Sequence, residues 1–375
     1  MEKINPLYEV FTNVCHCYGS NCVLCAARIF CSTFVLVEDD ALLFGKNWDF
    51  YTSKGMIVVN KREIAKTALI MPPDRPAKWV SKYGSITFNQ IGREFPYGGM
   101  NEEGLVVEIM WLDETKYPAS NGLPVLNEVQ WIQYQLDNCR TVGEVIERMD
   151  SVRIGQNWSR IHYLIGDRFR SATAIEYING ETVCHTGDSL TVAALTNSTY
   201  DECIQLFDSC KNGAPDEWMK HSSLSSTDRF IKIARRLGDF ESEHIGPAIE
   251  YAFDILSSVS VGRFKMHRTA WSIVYDIANM KIYFKSFENR NVSFIDVHAF
   301  DFSNETPSQV LNIAGDLKGD VAGNFIDYSR AMNKAMIVAV FDIYREADFL
   351  TNLPASAVHY LARYPETFTM PSAVP

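Results

Sequence analysis

Residues 31–46 constrain the fold more than any other part of the chain. Residues 31–37 read CSTFVLV, with apolar or small side chains on both faces of an extended segment. Glu38-Asp39-Asp40 follows as a turn, and residues 41–46 (ALLFGK) run back. A hairpin without a polar face must be covered on both sides, so a layer of structure is required above and below it. Further strand candidates recur at 56–60, 85–89, 105–111, 161–165, 172–177, 191–195, 270–275, 281–284 and 292–297. Helical stripes interrupt them. Val125, Val129, Ile132 and Leu136 form one. Thr141-x-x-Glu144 opens a second as a capping box, with Val142, Val145, Ile146 and Met149 inward. Ile245, Ala248, Ile249, Ala252 and Leu256 mark a third, and Met332, Ala335, Met336, Ala339 and Ile343 a fourth. The pattern predicts an α+β fold of two stacked, mainly antiparallel sheets with helices on their outer faces. No Gly/Ser/Pro-rich linker divides the 375 residues, and the segment from Pro354 onward reads as an irregular tail.

Charge and hydropathy narrow the function. The net charge of -11, from 46 acidic and 35 basic residues, lacks the basic footprint that nucleic-acid binding needs. The longest internal apolar run, residues 336–344, carries Asp342 and is far short of a membrane span. P-loop, G-x-G-x-x-G, G-x-S-x-G and H-E-x-x-H signatures are absent.

Cysteine placement is uneven. Of nine cysteines, five (Cys15, Cys17, Cys22, Cys25 and Cys31) fall within the first 31 residues. Residues 10–27 carry no formal charge, Lys3 lies upstream and Cys25-Ala26-Ala27 ends in small residues, which reads as a leader. Thr12, Asn13, His16, Ser20 and Asn21 break its apolar run. A zinc or redox site built on Cys15, Cys17, Cys22, Cys25 and His16 is the competing reading, though no second C-x-x-C or H-x-x-x-H follows.

Cys31 gains a chemical use if residues 1–30 are removed. It would then carry a free α-amino group with a pKa of about 7.7–8.0, able to act as general base for its own thiol without a histidine. The hairpin returns Lys46 and Asp49 towards it, supplying a cation for the thiol and a carboxylate for the amine. Taken one at a time, each residue has a plainer use: core filler for Cys31, a turn for Asp49, a surface N-x-T sequon for Asn197 and a helix start for Arg229.

Five segments in order carry a family resemblance: Cys31-Ser-Thr-Phe, GKNWDF (45–50), YGGMNEEGLVVE (97–108), LTNSTY (195–200) and Asp228-Arg229-Phe230. Together they resemble the choloylglycine hydrolase and penicillin V acylase group of N-terminal-nucleophile (Ntn) hydrolases, the linear amide C–N hydrolases. The resemblance implies a four-layer αββα sandwich and a leader of residues 1–30 that removes itself. Residues 31–375 would form one domain, with a C-terminal extension from about 303. It implies hydrolysis of a non-peptide N-acyl amide, such as a conjugated bile acid or a penicillin V-like substrate, through a thioester. Acyl transfer from the same thioester, or a silent binding module with a cysteine-rich anchor, are the alternatives. Carried over, Cys31 is the nucleophile, Asp49 orients its amine, and Asn197 supplies a side-chain N–H to the oxyanion together with a main-chain N–H near Trp111. Arg229 supports the thiol, and Lys46 falls where the family has arginine. Trp48, Phe50 and Trp111 would line an apolar acyl pocket. No cofactor or metal is implied, and a homo-oligomer is left open. The leader points to export, the alternative being a cytoplasmic protein with a short propeptide.

Overall fold

The computed structural model describes residues 30–38, 41–210, 225–240, 247–262, 268–346 and 354–370. Residues 1–29 of the leader, with Cys15, Cys17, Cys22, Cys25 and His16, lie outside these residues, as do the turn residues Asp39 and Asp40 and the helix-stripe residue Ile245.

The predicted hairpin forms as β1 (Phe30–Glu38) and β2 (Ala41–Phe50), paired from Phe30 with Asp49 to Glu38 with Ala41. It supplies the second and third strands of a seven-stranded sheet in the order Ala194–Leu195, β1, β2, Arg268–Asp276, Lys281–Ser286, Ser293–Asp296 and Gly319–Asp320. Facing it is a nine-stranded sheet. Its order is Glu181–Thr186, Ala172–Ile178, Ile161–Gly166, Val106–Trp111, Pro96–Asn101, Ser85–Asn89, Met56–Asn60, Gln309–Asn312 and Ile326–Asp327. All pairings but one in these two sheets are antiparallel, the exception joining Ser293–Asp296 to Gly319–Asp320. Helices Ser226–Gly238 and Ala248–Ser258 cover the outer face of the first sheet, and Glu128–Asn138 covers the second. This is the αββα sandwich. The chain past residue 303 is woven into it, because Gln309–Asn312, Gly319–Asp320 and Ile326–Asp327 each add a strand.

Alternation along β1 and β2 sorts their side chains. Cys31 stands opposite Trp48 and Thr33 opposite Lys46, both pairs facing the second sheet, where Lys46 Nζ bonds the carbonyl of Ile109. Ser32, Asn47 and Asp49 face the helices, and Asn47 Nδ2 donates to Leu256 O at 2.7 Å. Two glycines make this packing feasible. A side chain at Gly45 would enter the ring of Phe34 across the hairpin, and one at Gly98 would occupy the place of the Glu108 carboxylate.

Three expectations change. β2 continues past Lys46 through Phe50, because Arg268–Asp276 pairs along its whole second half. The segment after Pro354 is not an irregular tail but a helix, Ala355–Arg363, followed by a 3₁₀ turn at Tyr364–Thr367. The helix Arg330–Glu346 exists, but its buried stripe is Asn333, Ile337, Val340 and Tyr344, rotated from the apolar stripe of the sequence. Asn333 and Tyr344 bury polar tips that find partners, which a hydropathy period does not register.

Candidate active site

Four elements converge on the first turn of β1. Cys31 is fully buried, and its main-chain N–H donates to Asn197 Oδ1 at 2.7 Å. Arg229 Nη1 reaches the Cys31 carbonyl and, at 2.7 Å, Ser32 Oγ, while its Nη2 donates to Asn197 Oδ1 at 2.8 Å. Arg229 is placed by its helix: Ser225 and Asp228 form a reciprocal capping box, and the inner face that follows carries Arg229, Phe230 and Ile233. The other guanidinium face covers the ring of Phe30.

Asn197 follows the short strand Ala194–Leu195 and is gripped from both sides. Its N–H donates to Ser226 Oγ at 2.7 Å, and its Nδ2 donates to Trp111 O at 2.8 Å. An amide nitrogen carries two hydrogens, so one remains beyond the Trp111 bond.

Asp49 is buried on the helix-facing side of β2. Thr269 Oγ1 donates to its Oδ1 at 2.5 Å, but its Oδ2 is buried without a partner. Burial pushes its carboxyl up to about 7, against the pull of Arg229, Thr269 and Lys46. Burial likewise raises the Cys31 thiol, opposed by Lys46, and the main-chain N–H of Asp49 points at that sulfur.

Lys46 reaches inward rather than along the hairpin. Its Nζ bonds Ile109 O and lies 3.7 Å from Glu108, whose carboxyl is raised to about 7 by burial despite that cation. Tyr275 donates to the same carboxylate at 2.6 Å. Thus Lys46 ties the two sheets together directly behind Thr33.

The aromatic residues form a wall. Trp48 stacks on Tyr97 at 4.5 Å, with Phe50 at 5.2 Å and Trp271 at 6.3 Å. Trp48 and Phe50 are each only 5% exposed, whereas Trp111 and Tyr97 are half-buried at the surface of the site. Trp111 is turned outward by a 2.6 Å bond to Asp113.

Cys31, Lys46, Trp48, Asp49, Phe50, Trp111, Asn197 and Arg229 therefore lie on elements that converge, and several further participants leave no sign in the sequence. Thr269 and Ser226 are single hydroxyls on distant segments and leave no local signal. Behind Asn197 lies a buried cluster: His162 bonds Glu176 Oε1 at 2.9 Å and Thr196 O at 2.8 Å, and His185 Nε2 stands 3.5 Å from Glu176. Burial pushes the Glu176 carboxyl up, but the hydrogen bond to His162, with His185 and the Tyr200 N–H beside it, prevails and holds it at about 2. Because the folded-state value lies below the usual one, the stabilisation is present above about pH 4.5 and is lost as pH falls towards 2. Glu176→Gln is expected to cost about 3 kcal/mol at pH 7 and to flatten the acid loss. Urea unfolding at pH 7 and pH 3 checks this; equal stability of variant and parent at pH 7 would refute it.

Among the described residues no helix is long and apolar enough to cross a membrane. The family model of linear amide C–N hydrolases, choloylglycine hydrolase family, matches residues 31–311. A penicillin V acylase of Pectobacterium atrosepticum is 26% identical over 267 residues, covering 60% of this chain and 69% of the relative. Among solved structures, penicillin V acylase from Agrobacterium tumefaciens superposes with a TM-score of 0.68 at 25% identity, over 80% of this chain and 98% of that one. A variant of conjugated bile acid hydrolase from Clostridium perfringens shares the fold, with a TM-score of 0.63 at 17% identity, over 76% and 98%.

Proposed function

This chain belongs to the linear amide C–N hydrolases of the choloylglycine hydrolase family, and on that premise we propose that it cleaves N-acyl amides with Cys31 as an N-terminal nucleophile. Residues 1–30 are removed in this reading, and residues 31–375 form the working domain. The observation that carries it is the unpartnered Oδ2 of Asp49 beside a cysteine whose nitrogen already rests on Asn197 Oδ1. A buried carboxylate oxygen without a donor is costly. Cleavage before Cys31 turns its peptide nitrogen into an amine with additional hydrogens, one of which stays on Asn197 while another meets Asp49.

The steps follow from that arrangement. The amine takes the thiol proton, and the thiolate attacks the substrate carbonyl carbon. The second Nδ2 hydrogen of Asn197 and a main-chain N–H near Trp111 stabilise the oxyanion. The ammonium returns the proton to the departing nitrogen, the C–N bond breaks, and a thioester on Cys31 remains. Water, deprotonated by the same amine, attacks the thioester carbonyl carbon; the C–S bond breaks, the ammonium returns its proton to the Cys31 sulfur, and a carboxylic acid leaves. Arg229 holds the Cys31 carbonyl and Asn197 in register throughout. The acyl group lies on the inward side of β2, against Trp48 and Tyr97, where an aromatic or extended apolar acyl chain fits. The leader is proposed to accompany export.

The test is amine release from a panel containing a phenoxyacetyl penam, bile-acid conjugates and acyl homoserine lactones, with intact mass measured on the same sample. Turnover of one class by protein beginning at Cys31 supports the reading. Turnover by protein that still contains Phe30 would overturn the mechanism, and folded, processed protein inert on all of them would overturn the substrate class.

A further inference from the structure

The helix Arg330–Glu346 lies beyond the residues matched by the family model, yet it ends on the aromatic wall of the site. Its Tyr344 is 1% exposed and sets its ring edge-on to Phe50, with centroids 5.2 Å apart. The Tyr344 hydroxyl donates to Gln90 Oε1 at 3.0 Å. Phe50 and Tyr97 are two of the rings packed on Trp48, the residue opposite Cys31. Gln90, held by Tyr344, grips the turn after β2: its Nε2 donates to Thr52 O at 2.7 Å and to Lys54 O at 2.9 Å. At the other end of the helix, Asn333 fixes the seat by accepting from Arg93 N–H at 3.0 Å and donating to Ala362 O at 3.3 Å.

We infer that Tyr344 is a positioning residue that sets the depth of the acyl pocket, so that acyl-chain selectivity in this protein is written partly in the helix Arg330–Glu346. This rests on the reading above, in which the acyl group lies along Trp48. The physical basis is close packing. Phe50 cannot retreat while the Tyr344 ring stands behind it, and the Tyr344 ring cannot swing away while its hydroxyl is tied to Gln90. Removing the ring frees room that an acyl chain longer by one or a few methylenes can fill, and pockets discriminate such differences by about tenfold or more.

Two measurements on processed protein test it. The first is kcat and KM for N-acyl derivatives of one chromogenic amine, from acetyl to dodecanoyl. The second is binding of the corresponding free carboxylic acids, read by tryptophan fluorescence. Tyr344→Ala is expected to move the optimum to longer chains and to raise the long-to-short ratio of kcat/KM about tenfold, chiefly through KM. Tyr344→Phe keeps the ring and is expected to keep the parent's chain-length optimum. An unshifted acid-binding and hydrolysis profile in folded Tyr344→Ala would overturn the inference. If the parent hydrolysed none of the amides, the amide-hydrolysis reading would fail, and the acid-binding profile alone would decide the role of Tyr344.

Discussion

Cys31→Ala is expected to fold like the parent, to keep residues 1–30 attached and to lose turnover by on the order of 10⁶-fold, the scale seen when a covalent nucleophile is deleted. The fold should survive because Cys31 is a small buried side chain within a hairpin whose pairing runs over nine residue pairs. Removing one sulfur leaves at most a small void in a large core. The chemistry should not survive, because in the proposed mechanism the thiol and the amine that activates it belong to the same residue. Circular dichroism, intact mass and amine release on one responsive substrate make the check. A folded variant with measurable turnover, or one that lost its leader at the normal rate, would remove Cys31 from both roles.

Asp49→Asn is expected to lower kcat by about 10² or more while leaving the fold intact. The substitution preserves shape and the oxygen that Thr269 binds, so the strand pairing of β2 is untouched. It abolishes the charge that would hold the new ammonium. The pH dependence carries the sharper signature. In the described state burial lifts Asp49 to about 7, so the carboxylate forms only as pH rises through neutrality. An adjacent ammonium favours the carboxylate and draws that midpoint downward. The parent should therefore lose kcat towards acid pH in two parts, protonation of the Cys31 amine and loss of the Asp49 charge at a midpoint below about 7, and Asp49→Asn should lack the second part. A variant with the parent's rate and the parent's acid limb would make Asp49 a strand residue and nothing more.

How much of this was legible beforehand can be argued residue by residue. Cys31, Asp49, Asn197 and Arg229 were each unremarkable alone and became a site only as an ordered set. In the structure Asn197 and Arg229 meet at Cys31, and Asp49 lies on the paired strand. Lys46 acts on the Cys31 thiol as a cation from the same inward face of the hairpin, and the length of its side chain also takes it between the sheets to Ile109 and Glu108. The reason Gly98 precedes Glu108 in the YGGMNEEGLVVE segment also needed coordinates, because only the register shows the glycine vacating the space the carboxylate fills.

The sequence by itself determined the doubly buried hairpin, the two-sheet architecture and the order of the motif residues, because these depend on local period and spacing, which a linear pattern carries. Only the tertiary structure decided which polar groups are satisfied and which are left open. The orphaned oxygen of Asp49, the hydroxyls of Thr269 and Ser226, the Glu176 cluster behind Asn197 and the seat of Tyr344 all join residues far apart in the chain. Partners separated by 14 to 254 positions are chosen by packing in three dimensions, and no periodicity along the chain encodes that choice.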